Sequence, residues 1–200
     1  MSRSERLLYA ANGVDLRVVD LELTDGEHVE QPFVRTPQAA GAVVFHAGRA
    51  LLLWRHRPVT DTWGWEIPLG EIGPDEDPER AAARLVEEQT GWRPGPLMPL
   101  IRIRTAEDVA DSDHVIFVAY QATPVATPAD DQTEPAGDHA APVGDQTAPV
   151  GGRADERERA EWLPVLGIQR LISEQAITSA TTAAALLHLL ADLLQARTSH

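Results

Sequence analysis

Glu76, Arg84 and Glu88 are the residues whose types and spacing point most directly to chemistry. Arg84 stands one helical turn before Glu88 and can pair with it. At about 100° per residue, positions 85, 88 and 89 share an arc of about 100° on one helix face. Hard divalent cations seek oxygen ligands, anionic ones above all. This face offers one carboxylate, Glu88, beside the carboxamide of Gln89 and the isobutyl group of Leu85, while Glu87 points away from it. It is an oxygen-donor face with a single anionic member.

The elements that must position these groups read as loop, helix, loop between Gly70 and Trp92. Gly70 and Gly73-Pro74 predict a break in any preceding strand. Asp77 is an N-cap type, Pro78 suits the first helical position, and Glu79 suits the positive N-terminal end. Ala81, Ala82, Leu85 and Val86 form an apolar stripe, and Gly91 predicts the helix stop. This stretch resembles the Nudix box, the signature of hydrolases that cleave a diphosphate linked to another moiety. The family pattern is G-x5-E-x7-R-E-U-x-E-E-x-G-U, with U a bulky apolar residue. Gly70, Glu76, Arg84, Val86, Glu88, Gly91 and Trp92 fit it, whereas Leu85 and Gln89 stand where the family has glutamates. The approach Trp65-Glu66-Ile67-Pro68-Leu69-Gly70 is similar to the W-E-x-P-x-G of ADP-ribose and sugar-nucleotide pyrophosphatases.

The resemblance implies an α/β fold, the α/β/α sandwich around a mixed β-sheet. It implies a small nucleotide substrate such as ADP-ribose or a nucleotide sugar, and Mg²⁺ or Mn²⁺ held by the Leu69 backbone carbonyl and Glu88. Glu76 would brace the loop and Arg84 would orient the box acids. Arg57, at a strand end, would touch the substrate phosphates, and Glu66 would also bind the substrate. Trp65 or Trp63 would stack on a base, the alternative being packing in the core or at the sheet edge. Glu156 or Glu158, from a late acidic loop, would act as a base or a further metal ligand. Leu85 and Gln89 predict weak metal binding and slow turnover. They leave open a rival, a catalytically inactive Nudix domain that binds a nucleotide or a protein partner.

Composition narrows the classes. Two hundred residues with 43% apolar content suffice for one domain with a real core. Absence of cysteine excludes disulfides, thiol nucleophiles and Cys-zinc sites. All 17 basic residues are arginine, so phosphate recognition falls to guanidinium groups and backbone amides. A net charge of −14 argues against non-specific nucleic-acid binding. No apolar run has the roughly 18–20 residues of a membrane span. The first residues lack a secretory signal, so a cytoplasmic location is expected. The Ala- and Arg-rich, Lys-free bias resembles a high-GC bacterial genome.

In chain order, residues 14–23 and 28–35 predict an N-terminal hairpin turning at Asp25-Gly26. A similar unit precedes the core in ADP-ribose pyrophosphatases and there helps form a dimer, so a homodimer is one expectation and an unpartnered edge hairpin the other. Residues 39–45 and 50–54 predict a second, more buried hairpin; 97–104 and 114–122 predict further strands joined by a solvated loop containing Ser112-Asp113-His114. Residues 123–153 carry three tandem heptads, each with proline and glycine, and are expected to be a disordered insertion. A last strand ends at Pro164, and helices are expected over 165–174 and 179–196, with Leu186, Leu187, Leu189, Leu190, Leu193 and Leu194 on an apolar face. The expected organisation is an N-terminal region 1–38, a Nudix domain of 39–122 and 154–197, and the insertion 123–153.

Overall fold

The computed structural model describes residues 3–125 and 157–198. Strands β1 (Arg3–Ala11), β2 (Val14–Glu22) and β3 (His28–Arg35) form an antiparallel meander. Strands β4 (Ala39–His46) and β5 (Arg49–Arg57) form the buried hairpin around Ala47-Gly48. Short strands β6 (Thr62–Glu66) and β7 (Leu69–Glu71) follow, then helix α1 (Pro78–Thr90) and strand β8 (Trp92–Pro94). Next come β9 (Met98–Arg104), β10 (Ala110–Asp111), β11 (Asp113–Ala119) and β12 (Ala122–Pro124). Strand β13 (Arg159–Pro164), a 3₁₀ turn (Val165–Gly167), α2 (Ile168–Ser173) and α3 (Ala180–Thr198) complete the described chain.

The central sheet runs β13-β5-β4-β11-β9, with β6 added to β5 and β7 to β4. It is mixed, because β4 and β11 are parallel while the other pairs are antiparallel. Strand alternation divides its side chains between two cores. Val43, Leu52, Ile116 and Val118 face α2 and α3, where Ile168, Leu186 and Leu189 close one cluster. Ala40, Ala42, Val44, Leu51 and Phe117 face α1, where Ala81, Ala82 and Val86 close the other. Helix, sheet and helix thus stack as the α/β/α sandwich. Of the expected leucine face on α3, Leu187 and Leu194 lie in solvent, so the apolar stripe is narrower than the sequence suggests.

Four elements differ from the sequence reading. The N-terminal unit has a third strand, β1, and β10 joins it parallel to β3, giving the order β1-β2-β3-β10. The region 1–38 therefore shares its sheet with residues far along the chain. Leu7, Leu8, Tyr9, Val14 and Leu16 of this sheet are exposed, the surface to which the dimer expectation refers. Gly70 does not interrupt a strand but lies inside β7, opposite Ala40. Thr123 and Pro124 pair with Arg93 and Trp92, so regular structure extends past residue 122. The heptads themselves, and Glu156, lie outside the described residues. Among the described residues no helix is long and apolar enough to cross a membrane.

Candidate functional site

The box helix is set by local chemistry before any tertiary contact. Asp77 has extended φ/ψ of −70° and 136°, and its Oδ1 accepts from the amides of Glu79 at 2.9 Å and Arg80 at 3.4 Å. Gly91 ends the helix at φ 71°, where a side chain would be strained, and its amide donates to the Glu87 carbonyl at 3.0 Å. The buried stripe of Ala81, Ala82, Leu85 and Val86 seats α1 on the sheet.

Arg84 is the hub of the loop-helix junction. Its Nε and Nη2 donate to the two carboxylate oxygens of Glu76 at 2.8 and 2.7 Å. Its Nη1 donates to Glu88 Oε2 at 3.0 Å, and Nη2 also reaches the Glu71 carbonyl at 3.3 Å. Glu76 Oε2 in addition accepts from the Gly73 amide at 2.8 Å. The Arg84 guanidinium, then this amide, hold the Glu76 carboxyl down at about 2, well below its ordinary 4.5. Glu76 bridges the Gly73 amide and the Arg84 guanidinium, and Arg84 is spent in holding acids. Glu88 stays 56% exposed beyond its pairing with Arg84. Glu87 pairs with Arg93 at 2.9 Å, off this face.

The two departures from the box pattern occupy the place where a cation is expected. Gln89 Nε2 donates to the Leu69 carbonyl at 3.1 Å, and the Leu69 amide donates to Gln89 Oε1 at 3.3 Å. The carbonyl expected to bind metal thus already accepts a hydrogen bond. Leu85 is buried at 6% exposure, and a Cβ at position 70 would fall 2.7 Å from its Cδ2, so a side chain there would have to displace the isobutyl group. Among the described residues no three acidic or histidine side chains converge to hold a metal ion. Among the described residues the donor set on this face does not fit the Mg²⁺ or Mn²⁺ that the resemblance implies: one exposed carboxylate tied to an arginine, one carbonyl that already accepts a hydrogen bond, and an isobutyl group. The significance of Gln89 was missed in the sequence, although an amide at that position signals a group able to satisfy both a C=O and an N–H.

The substrate candidates assemble on β5 and β6. Arg57 Nε donates to Glu66 Oε1 at 2.8 Å, and Nη2 makes a second contact with Oε2. Glu66 is buried at 8% exposure and so anchors Arg57 rather than facing a ligand. The hydrogen bond to Glu66 raises the Arg57 pKa, and the charge of Glu158 adds to this, which puts Glu158 within electrostatic reach of Arg57. Trp65 cannot serve as a stacking platform. It is 5% exposed, with Trp54 at 5.1 Å and the Arg159 guanidinium 5.3 Å from its ring centroid. Trp63 is more open and stacks on His56 at 5.0 Å and Trp54 at 6.1 Å. The W-E-x-P-x-G segment is pinned to α3 and the turn before it: the Trp65 amide donates to the Ala176 carbonyl at 2.8 Å and the Ile67 amide to Thr182 Oγ1 at 3.3 Å.

Ser112 and His114 are not a solvated loop. Ser112 Oγ lies 3.3 Å from His114 Nε2, and His114 Nδ1 lies 2.9 Å from Thr181 Oγ1. Burial pushes the imidazole pKa down, favouring the neutral ring. Ser112 and Asp113 border a cavity of about 460 Å³ between the N-terminal sheet and β9–β11, which Val19, Leu21, Phe33 and Arg104 also line.

Comparison with known proteins gives a consistent picture. A family model described as "NUDIX domain" matches residues 35–174. A "CMP-5'-(N-acetyl-N-hydroxy-3-aminopropyl)phosphonate hydrolase" of Streptomyces rubellomurinus is 40% identical over 131 residues, 65% of this chain and 64% of that protein. An "ADP-ribose pyrophosphatase" of Bacillus subtilis is 28% identical over 113 residues, 56% of this chain and 61% of that protein. The chain thus spans a little under two thirds of the length of these relatives. The crystal structure of an ADP compounds hydrolase superposes with a TM-score of 0.72 at 18% identity, over 97% of this chain and 93% of that one.

Proposed function

This chain belongs to the NUDIX domain family, and from that premise we propose that it hydrolyses, slowly, the diphosphate of a nucleoside diphosphate linked to another moiety. The observation that carries the reading is the Arg57–Glu66 pair, held rigidly on β5 and β6 within the W-E-x-P-x-G approach. Half-exposed Arg57 is the cation offered to the diphosphate, and buried Glu66 fixes its fork. In the reaction the oxygen of one water attacks phosphorus and the bridging P–O bond breaks. The water's proton passes to a carboxylate, for which Glu158 or Glu156 is the proposed acceptor. Glu88 and Arg84 shape the adjoining loop. Turnover is slow because arginine meets substrate charge without the carboxylate-rich helix face of the family pattern.

The substrate class is ADP-ribose or a nucleotide sugar. The name of the Streptomyces relative widens it to cytidylyl groups joined to a phosphonate. The Gln89–Leu69 pairing favours a second reading, a domain that binds such a nucleotide without cleaving it. The test is product analysis after incubation with ADP-ribose, nucleoside-diphosphate sugars and a CMP-linked phosphonate, with Mg²⁺, Mn²⁺ or EDTA. The proposal expects nucleoside monophosphate from at least one compound, and a KM raised at least about tenfold by Arg57→Gln, about 1.4 kcal/mol of lost binding. Nucleotide binding without any product would establish the second reading instead.

A further inference from the structure

Leu69 presents one N–H and one C=O toward α1 at the start of β7, and Gln89 satisfies both at 3.3 and 3.1 Å. A carboxamide is suited to this task, because it carries a donor and an acceptor on one planar group and needs no counter-charge. A carboxylate in the same place could accept from the Leu69 amide. Its second oxygen would then face the Leu69 carbonyl oxygen, acceptor against acceptor, and only a cation between them would make the contact favourable. Leu85 completes the arrangement. It lies over Gly70 with 6% exposure and fills with carbon the space beside the amide pair. The remaining box acids carry their own positive charge, since Arg84 bonds Glu76 and Glu88 together.

We propose that the junction of α1 and β7 is a metal-independent clamp, in which Gln89 and Leu85 replace a bound divalent cation as the tie between helix and strand. The clamp stands on this geometry alone and holds whether or not the chain hydrolyses a nucleotide. It assigns Gln89 a positioning role: it fixes the Leu69–Gly70 backbone at the mouth of the box.

The test is thermal melting of the parent, Gln89→Glu and Gln89→Ala, each in EDTA and in millimolar Mn²⁺, with Mn²⁺ paramagnetic relaxation as a second readout. Hydrolysis is not measured. The parent midpoint should be the same in both conditions, because an ion raises it only by binding the native state. Gln89→Ala should melt several degrees lower in both, having lost the pair of bonds. Gln89→Glu should melt lower than the parent in EDTA and regain part of the loss in Mn²⁺. A parent stabilised by Mn²⁺, or one that binds it at micromolar concentration, would overturn the proposal. So would a Gln89→Glu protein as stable as the parent in EDTA. Should Gln89→Glu fail to fold, the response of the parent still decides.

Discussion

Glu76 carries a strongly shifted carboxyl, and the shift fixes a pH dependence. Its folded pKa of about 2 lies below the ordinary 4.5. A lowered carboxylate pKa contributes stability fully above the unfolded value and loses it as pH falls toward the folded one. We therefore predict that Glu76→Gln lowers the thermal midpoint at neutral pH. It should also flatten the acid limb of the stability profile between about pH 4.5 and 2. Parallel limbs in parent and variant would show that the Arg84 pairing does not hold this loop. The i,i+4 pair Arg84–Glu88 was legible in the sequence from spacing, whereas the Glu76–Arg84 pairing emerges only in the structure. The Gln89 clamp was not, because its partner lies twenty residues earlier and is brought near only when β7 pairs with β4. Of the two readings of Trp65, stacking on a base and packing in the core, the structure takes the second for the same reason. An aromatic face suits a base, but here Trp54 and Arg159, from other strands, already cover it.

Elements with strong local signals were readable and those made by pairing were not. Helix α1 announces itself through Asp77, Pro78, the 81-82-85-86 stripe and Gly91, each of which acts as expected. Strand β7 contains Gly70, and β6 contains Gly64, both poor strand formers; pairing with β4 and β5 overrides propensity. Strand β1 is equally dependent on its register with β2. The stretch between β12 and β13 follows a different rule. Its heptads repeat proline and glycine and lack aromatic residues, the composition on which the expectation of an insertion rests. Loop-closure cost rises only slowly with length. We predict that replacing residues 126–152 by a short Gly-Ser linker leaves the thermal midpoint within a few degrees of the parent. The cut begins after Val125, whose amide donates to the Gly91 carbonyl at 2.8 Å. Insoluble protein or a much lower midpoint would mean that the repeats pack on the domain.

At the scale of the molecule, one mixed sheet separates two cores, and the box lies where β7 and β4 meet α1. The box contributes a braced loop and a closed clamp; β5 and β6 contribute Arg57 and its partner Glu66, with Glu158, just before β13, in electrostatic reach. The proposal is that this is a nucleotide-diphosphate hydrolase whose fold and substrate face are intact and whose helix face keeps Glu88 but has lost two carboxylates, at positions 85 and 89. The double change Leu85→Glu and Gln89→Glu restores those groups on the face that carries Glu88. It also opens the clamp and buries a charge, so without metal the variant should be less stable than the parent. Added Mg²⁺ should recover part of that loss. The decisive measurement is turnover of the same nucleotide panel by parent and double variant in Mg²⁺ and Mn²⁺. The account predicts a gain of roughly 10²-fold, since about 3 kcal/mol of added charge stabilisation suffices for it. A double variant that folds and binds metal yet cleaves none of these compounds would contradict it.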